Sequence, residues 1–221
     1  MLLDDEATDA LVSSGELKDI RRLKGMELFG VETFEAERDP EVTVKPSRCG
    51  NFDSLLEVGA PSDPSVGRTS RAFFVQEEPF GYVGQSVTPS AKAQSALEYA
   101  FETLVPQCED YTKTTNYPFD TEVREKTIAS VEWTQESGWP TLALEIQSTS
   151  RRSGNVGAGA APTERTDWVL VTSVGSNLVA TSGTDKEGVT QLHAVGVTRV
   201  SEATSTASAQ GRSTIPSAYQ P

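Results

Sequence analysis

One histidine, His193, and two cysteines, Cys49 and Cys108, are the whole stock of imidazole and thiol in this 221-residue chain. A Ser-His-Asp or Cys-His enzyme would need His193 as its base, beside a nucleophile. No G-x-S-x-G elbow is present, and neither cysteine stands in a nucleophile setting, so His193 reads as a structural residue of a strand. Two Cys and one His at separations of 59 and 85 residues make no recognised zinc site. The P-loop pattern is missing, and Gly154, Gly157 and Gly159 fall in the wrong order for a dinucleotide fingerprint. Among 32 acidic residues, Glu132 and Glu145 are the one pair worth testing as a hydrolase's carboxylates. No cofactor and no metal follow from these residues.

Binding chemistry is better represented. Tyr82, Gln85, Trp133 and Trp139 lie on strand-like stretches, where a flat apolar ring with a polar edge suits a sugar or a lipid headgroup. Arg151 and Arg152, in the Gly/Ala/Ser-rich stretch STSRRSGNVGAGAAPTER, are placed to clamp an anionic group from a loop. The cysteines admit two readings, a disulfide or two free thiols. Their polar, proline-flanked settings, KPSRCGN and VPQCEDY, favour the bond, since an apolar burial site for a thiol would look different.

The formal net charge of -13 argues against polyanionic partners, nucleic acid and anionic membrane surfaces alike. Residues 1–41 hold 12 acids against 5 bases. The stretch ETFEAERDPEVTV lacks the glycine and the alternating spacing of a calcium loop, so it reads as a solvated segment. No run of 18 apolar residues occurs, and Met1-Leu2-Leu3 leads directly into acid. The chain is therefore either cytoplasmic or a mature portion whose export signal has been removed.

The elements that must position these residues follow from periodicity. DDEATDALVSSGELKDIRRL reads as a first helix, and 24–46 as loop with one short strand. SRAFFVQEE and YVGQSVT read as strands. A helix then opens on Thr88 as N-cap and Pro89, carries the stripe Ala93, Leu97, Ala100, Phe101 and Leu104, and stops at Pro106. TIASVEWTQ and WPTLALEIQS alternate as strands around Ser137-Gly138, with Ile128, Ser130 and Glu132 on one side of the first. DWVLVTSVGSNLVATSG is a hairpin turning at Gly175-Ser176, and VTQLHAVGVTRV a last strand. The fold class is α+β: an antiparallel sheet packed on one face by helices. It forms a single domain over residues 1–200, with a disordered Ser/Thr/Ala-rich tail over 201–221.

The order of elements resembles the PknH-like extracellular sensor domain family of actinobacterial kinases and envelope lipoproteins. The resemblance lies in LLDDEATDALV, the P-x-x-C segment Pro46-Ser47-Arg48-Cys49, the Ala-rich helix from Ala91 to Cys108, and VGSNLV at Val174 to Val179. It implies a Cys49–Cys108 disulfide, but the family's second cysteine pair has no counterpart here. The implied protein is a non-enzymatic, extracytoplasmic ligand-binding or sensor-like domain of a cell-envelope lipoprotein. Its ligand would be a small molecule, sugar or lipid headgroup, and its only membrane contact a trimmed N-terminal anchor. A lipid or glycolipid carrier and a carboxylate-dependent hydrolase are the alternatives.

Overall fold

The computed structural model describes residues 20–22, 41–50, 52–53, 70–76, 81–117, 120–154 and 161–212. They build one antiparallel sheet of nine strands: β1 (Ile20–Arg22), β2 (Glu41–Lys45), β3 (Ser70–Gln76), β4 (Gly81–Pro89), β5 (Asp110–Asn116), β6 (Asp120–Glu136), β7 (Trp139–Gly154), β8 (Thr163–Val174) and β9 (Asn177–Gly183). The spatial order is β1-β3-β4-β9-β8-β7-β6-β5-β2. Helix α1 follows β4 in three parts, Ala93–Tyr99, a wider π turn Ala100–Leu104, and a closing turn Val105–Gln107. Helix α2 (Lys186–Arg212) follows β9.

The helices lie on opposite faces, which corrects the expectation of one helix-covered face. Leu142 and Leu144 of β7, Val169 and Val171 of β8, and Leu178 and Ala180 of β9 pack under Ala93, Leu97 and Ala100 of α1. The intervening residues Val174 and Val179, with Val87 of β4, pack under Val197 and Val200 of α2. Trp-Val-Leu-Val in β8 has no polar break because that strand is buried from both sides. Each fully buried Leu or Val contributes roughly 1.5–3 kcal/mol of transfer free energy.

Helix α2 replaces the expected last strand. Val189, Leu192, His193, Gly196, Val197 and Val200 recur at helical spacing and are all buried. Asp185 caps the helix, its carboxylate accepting the N–H groups of Glu187 (3.1 Å) and Gly188 (3.0 Å). A Cβ at Gly196 would meet the Gln85 amide at 2.4–2.6 Å, so any larger residue would have to displace that buried, hydrogen-bonded side chain for α2 to lie this close to β4. The helix runs on through Arg212, and the boundary expected at residue 201 therefore falls inside it. Residues 213–221 lie outside the described residues, as do residues 1–19 of the expected first helix. Near that helix's expected end, Ile20–Arg22 form β1 instead, and Leu23 lies outside the described residues.

Two further corrections concern boundaries. Thr88 and Pro89 remain in β4, opposite Leu178 and Asn177, so α1 starts later, after Lys92, with no side-chain cap. Before Pro106, which has no N–H to give, the ladder widens and Val105 N–H reaches Ala100 O. In β6 a bulge between Ile128 and Ser130 shifts the alternation. Ile128, opposite Ile146, thus shares its face with Val131 and Trp133, opposite Leu144 and Leu142. The expected strands SRAFFVQEE and YVGQSVT are observed with shifted ends, as Ser70–Gln76 and Gly81–Pro89, and the α1 stripe and the turns at Ser137-Gly138 and Gly175-Ser176 are observed too.

Candidate functional site

Strands β6, β7 and β8 extend well past their apolar halves. β6 starts at Asp120, β7 continues to Gly154 and β8 begins at Thr163, so most of the supposed loop from Ser148 to Arg165 is strand. On the α1 face these polar halves form rows. Arg124 of β6 stands opposite Ser150 of β7, which stands opposite Thr163 of β8. Lys126, Ser148 and Arg165 form the row beside it, and Glu122 faces Arg152 on the other side. All of these but Lys126, together with Ala161, line a cleft of about 270 Å³.

The charges are arranged in pairs, with one exception. Glu122 Oε1 accepts from Arg124 (2.9 Å) and from the Ser150 hydroxyl (2.6 Å). Burial alone would raise the Glu122 carboxyl, but the Ser150 hydrogen bond and the charges of Arg124 and Arg152 outweigh it. Its pKa therefore sits below the usual carboxylate range. Asp167 holds Arg165 through Nε (2.9 Å) and the terminal nitrogen (2.8 Å). Arg152 is exposed and makes no ion pair among the described residues, though its charge reaches Glu122.

Next to the cleft, a strap from the N-terminal half is tied to the end of α1 and to β5 and β6. Cys49 is bonded to Cys108 at the end of α1, with the Cα atoms 5.7 Å apart, and the neighbouring Phe52 packs edge-on to Tyr111. This placement puts Asp53 between Lys113 (3.1 Å) and Lys126, with the Tyr111 hydroxyl donating at 2.8 Å. Burial would raise the Asp53 carboxyl, but the two lysine charges and these hydrogen bonds hold it below its ordinary value. The disulfide is the pairing that the family resemblance implied.

The six residues singled out from the sequence are not brought to one place. Arg152 lines the cleft, whereas Arg151, next along β7, points to the opposite face and sits 4.0 Å from Glu125, both exposed. The two arginines thus cannot clamp one group, because adjacent strand residues face opposite ways. Trp133 stacks on Phe101 of α1 (centroids 4.9 Å apart), and Trp139 packs at the margin of the α2 core. Gln85 is buried under α2, donating to Thr181 Oγ1 (3.0 Å) and the Leu192 carbonyl (2.8 Å). Tyr82 belongs to β4, but its side chain lies outside the described residues. Glu132 and Glu145 share the α2 face, diagonal in register, on the far side of the sheet from the cleft.

His193 is structural in the sense expected, though on a helix. Fully buried, it lies between Thr172 Oγ1 (2.6 Å from Nε2) and Thr181 Oγ1 (2.9 Å from Nδ1). Burial lowers its pKa from 6.5 to about 3, so it is neutral in the folded protein at ordinary pH. Among the described residues no cluster of His, Cys, Asp and Glu is arranged to hold a metal ion.

The cleft residues other than Arg152 were missed by reading the sequence for apolar alternation. Their signal is a polar period of two: Glu122, Arg124, Lys126 in TEVREK; Ser148, Ser150, Arg152 in QSTSRR; Thr163, Arg165, Asp167 in TERTD. No helix among the described residues is long and apolar enough to cross a membrane. No family model, curated protein or solved structure matches the chain.

Proposed function

We propose that this chain is a non-enzymatic, sensor-like binding domain of the cell envelope, and that its cleft on the α1 face holds the anionic group of a small ligand. One observation carries the reading. In a chain of net charge -13, three guanidiniums and three hydroxyls from three strands meet in one cleft. Guanidiniums are the side chains best matched to oxyanions, and placement on strands fixes them more firmly than a loop would. The Cys49–Cys108 bond fits an oxidising, extracytoplasmic compartment, where such bonds persist. The PknH-like resemblance points the same way, and the envelope anchor belongs to that resemblance alone.

The charged lining disfavours a carrier of lipid chains, which would need an apolar cavity. Calorimetric titration at low salt with phosphate, sulfate and citrate tests the reading. At least one anion should bind, and Arg152→Ala should weaken it about tenfold or more without changing Tm. Absence of binding by all three would end it.

A further inference from the structure

The arrangement of donors in the cleft narrows the class of anion, an argument that rests on the binding role just proposed. Ser150 lies at the centre. Arg124 is its direct cross-strand neighbour on β6 and Thr163 its neighbour on β8, Arg152 lies two residues further along β7, and Arg165 stands on the diagonal. Direct neighbours have Cβ atoms about 4.5–5.5 Å apart and diagonal ones about 7–8 Å. Cationic side chains thus line the cleft from three strands, two of them, Arg124 and Arg165, already paired with Glu122 and Asp167, so a bound anion shares them with those carboxylates. A planar carboxylate offers two oxygens in one plane and is satisfied by a single guanidinium fork. A tetrahedral oxyanion directs its oxygens outward on all sides, and so uses all three.

Glu122 then separates the tetrahedral anions. Its carboxylate stands within this ring of cations, with Arg124 and Ser150 both on Oε1. An ionised carboxylate can only accept hydrogen bonds. Against an anion without a proton it is a like charge at close range, a cost in affinity. Against an anion carrying an O–H it is an acceptor for a charge-assisted bond. Sulfate at neutral pH has no proton to give, whereas hydrogen phosphate has one, and a phosphate monoester, with a second pKa near 6, keeps one in part.

We propose that the cleft recognises a phosphoryl group that bears a proton, its bare oxygens held by Arg124, Arg152 and Arg165 and its P–O–H donating to Glu122. Phosphodiesters, which lack that proton, are disfavoured. Inorganic phosphate and the monoester of a sugar or lipid headgroup share this chemistry.

Calorimetry of the whole chain at pH 7 in low salt, with phosphate and sulfate compared, decides the matter. Phosphate should bind at least tenfold more tightly than sulfate, and Arg152→Ala should weaken both by similar factors. Glu122→Gln should shrink the ratio towards one by improving sulfate. If that variant fails to fold, the wild-type ratio alone suffices. Equal affinities for phosphate and sulfate overturn the proton-bearing assignment while leaving an anion cleft. Binding of neither overturns both readings. Tighter binding of glycerol 3-phosphate than of phosphate identifies a soluble monoester as the source. Sedimentation with vesicles of phosphatidylcholine containing phosphatidic acid, but not with phosphatidylglycerol in its place, identifies a lipid headgroup. Sedimentation with both lipids alike overturns the requirement for the proton.

Discussion

Under α2 the sheet buries Gln85, Thr141, Thr172, Thr181 and His193, all neutral and joined in one chain of hydrogen bonds. On the α1 face, past Tyr111, it carries Lys113, Glu122, Arg124, Lys126 and Arg165, all charged, with Asp53 brought in by the strap. Both regions place polar groups beside an apolar core, but only the first is sealed. Neutral groups can be closed off by a helix at little net cost once they find partners, and of these five side chains only Gln85 Oε1 lacks one. Charges can be closed off only where each is paired, as Asp53 is with Lys113 and Lys126, so the part of that end around the exposed Arg152 keeps access to water and, with it, to solutes. The difference explains why the single histidine is shut away from solvent while the cleft is open to it.

The largest test of this contrast is acid. Above pH 6.5 His193 is neutral whether the chain is folded or not. Below it the unfolded chain takes up a proton that the folded chain refuses until about pH 3. Stability should therefore fall by about 1.4 kcal/mol per pH unit through that window. The charged region behaves otherwise. Asp53 and Glu122 have lowered values, so their contribution is intact above the ordinary carboxylate range and is lost only as pH falls through it. Urea unfolding from pH 8 to 4 should show the upper slope in the wild type and lose it in His193→Gln. A slope that survives the substitution would break the contrast.

Asp53→Ala should come next, costing about 3–5 kcal/mol, because Lys113 and Lys126 would keep their burial without their carboxylate. Denaturant midpoints at pH 7 measure it, and a loss below about 1 kcal/mol would mean that the strap is not closed in solution. Thr172→Val should be milder, about 1–3 kcal/mol, since it leaves one His193 nitrogen and the Thr141 hydroxyl short of a partner. The smallest stability effect belongs to Arg152→Ala, within about 0.5 kcal/mol as for most exposed substitutions. Its loss of anion binding should nevertheless be the clearest of all four, which sharpens the distinction between the sealed and the open region.

What the sequence disclosed follows the same division. Leu142, Leu144 and Ile146 alternate against polar neighbours, so β7 was legible there, and the Ala93-to-Leu104 stripe marked α1 as plainly. The helical stripe of α2 was equally present, at Val189, Leu192, His193, Val197 and Val200. β-branched residues and Gly196 gave it the composition of a strand, and tertiary packing on Gln85 overrode that local preference. The Ala129 bulge left no mark in the residue pattern. The cleft was illegible for a simpler reason. TEVREK and QSTSRR alternate in charge and hydroxyls rather than in hydrophobicity, and only the neighbouring strands reveal that Arg124, Ser150 and Thr163 share one row.

The position of β2 has a consequence in time. It is made early in the chain yet, among the described strands, pairs only with β5, Glu41 facing Asn116. At about 5–20 residues per second, a ribosome takes several seconds or more to supply that partner. During the wait β2 is a strand with bare edges, the kind of segment that recruits the wrong neighbour. Its ends, Glu41 and Lys45, are charged, and Val42 and Val44 are its only apolar residues. A nascent chain, or one threaded unfolded across a membrane, can carry such a segment through the delay without its sticking to another copy.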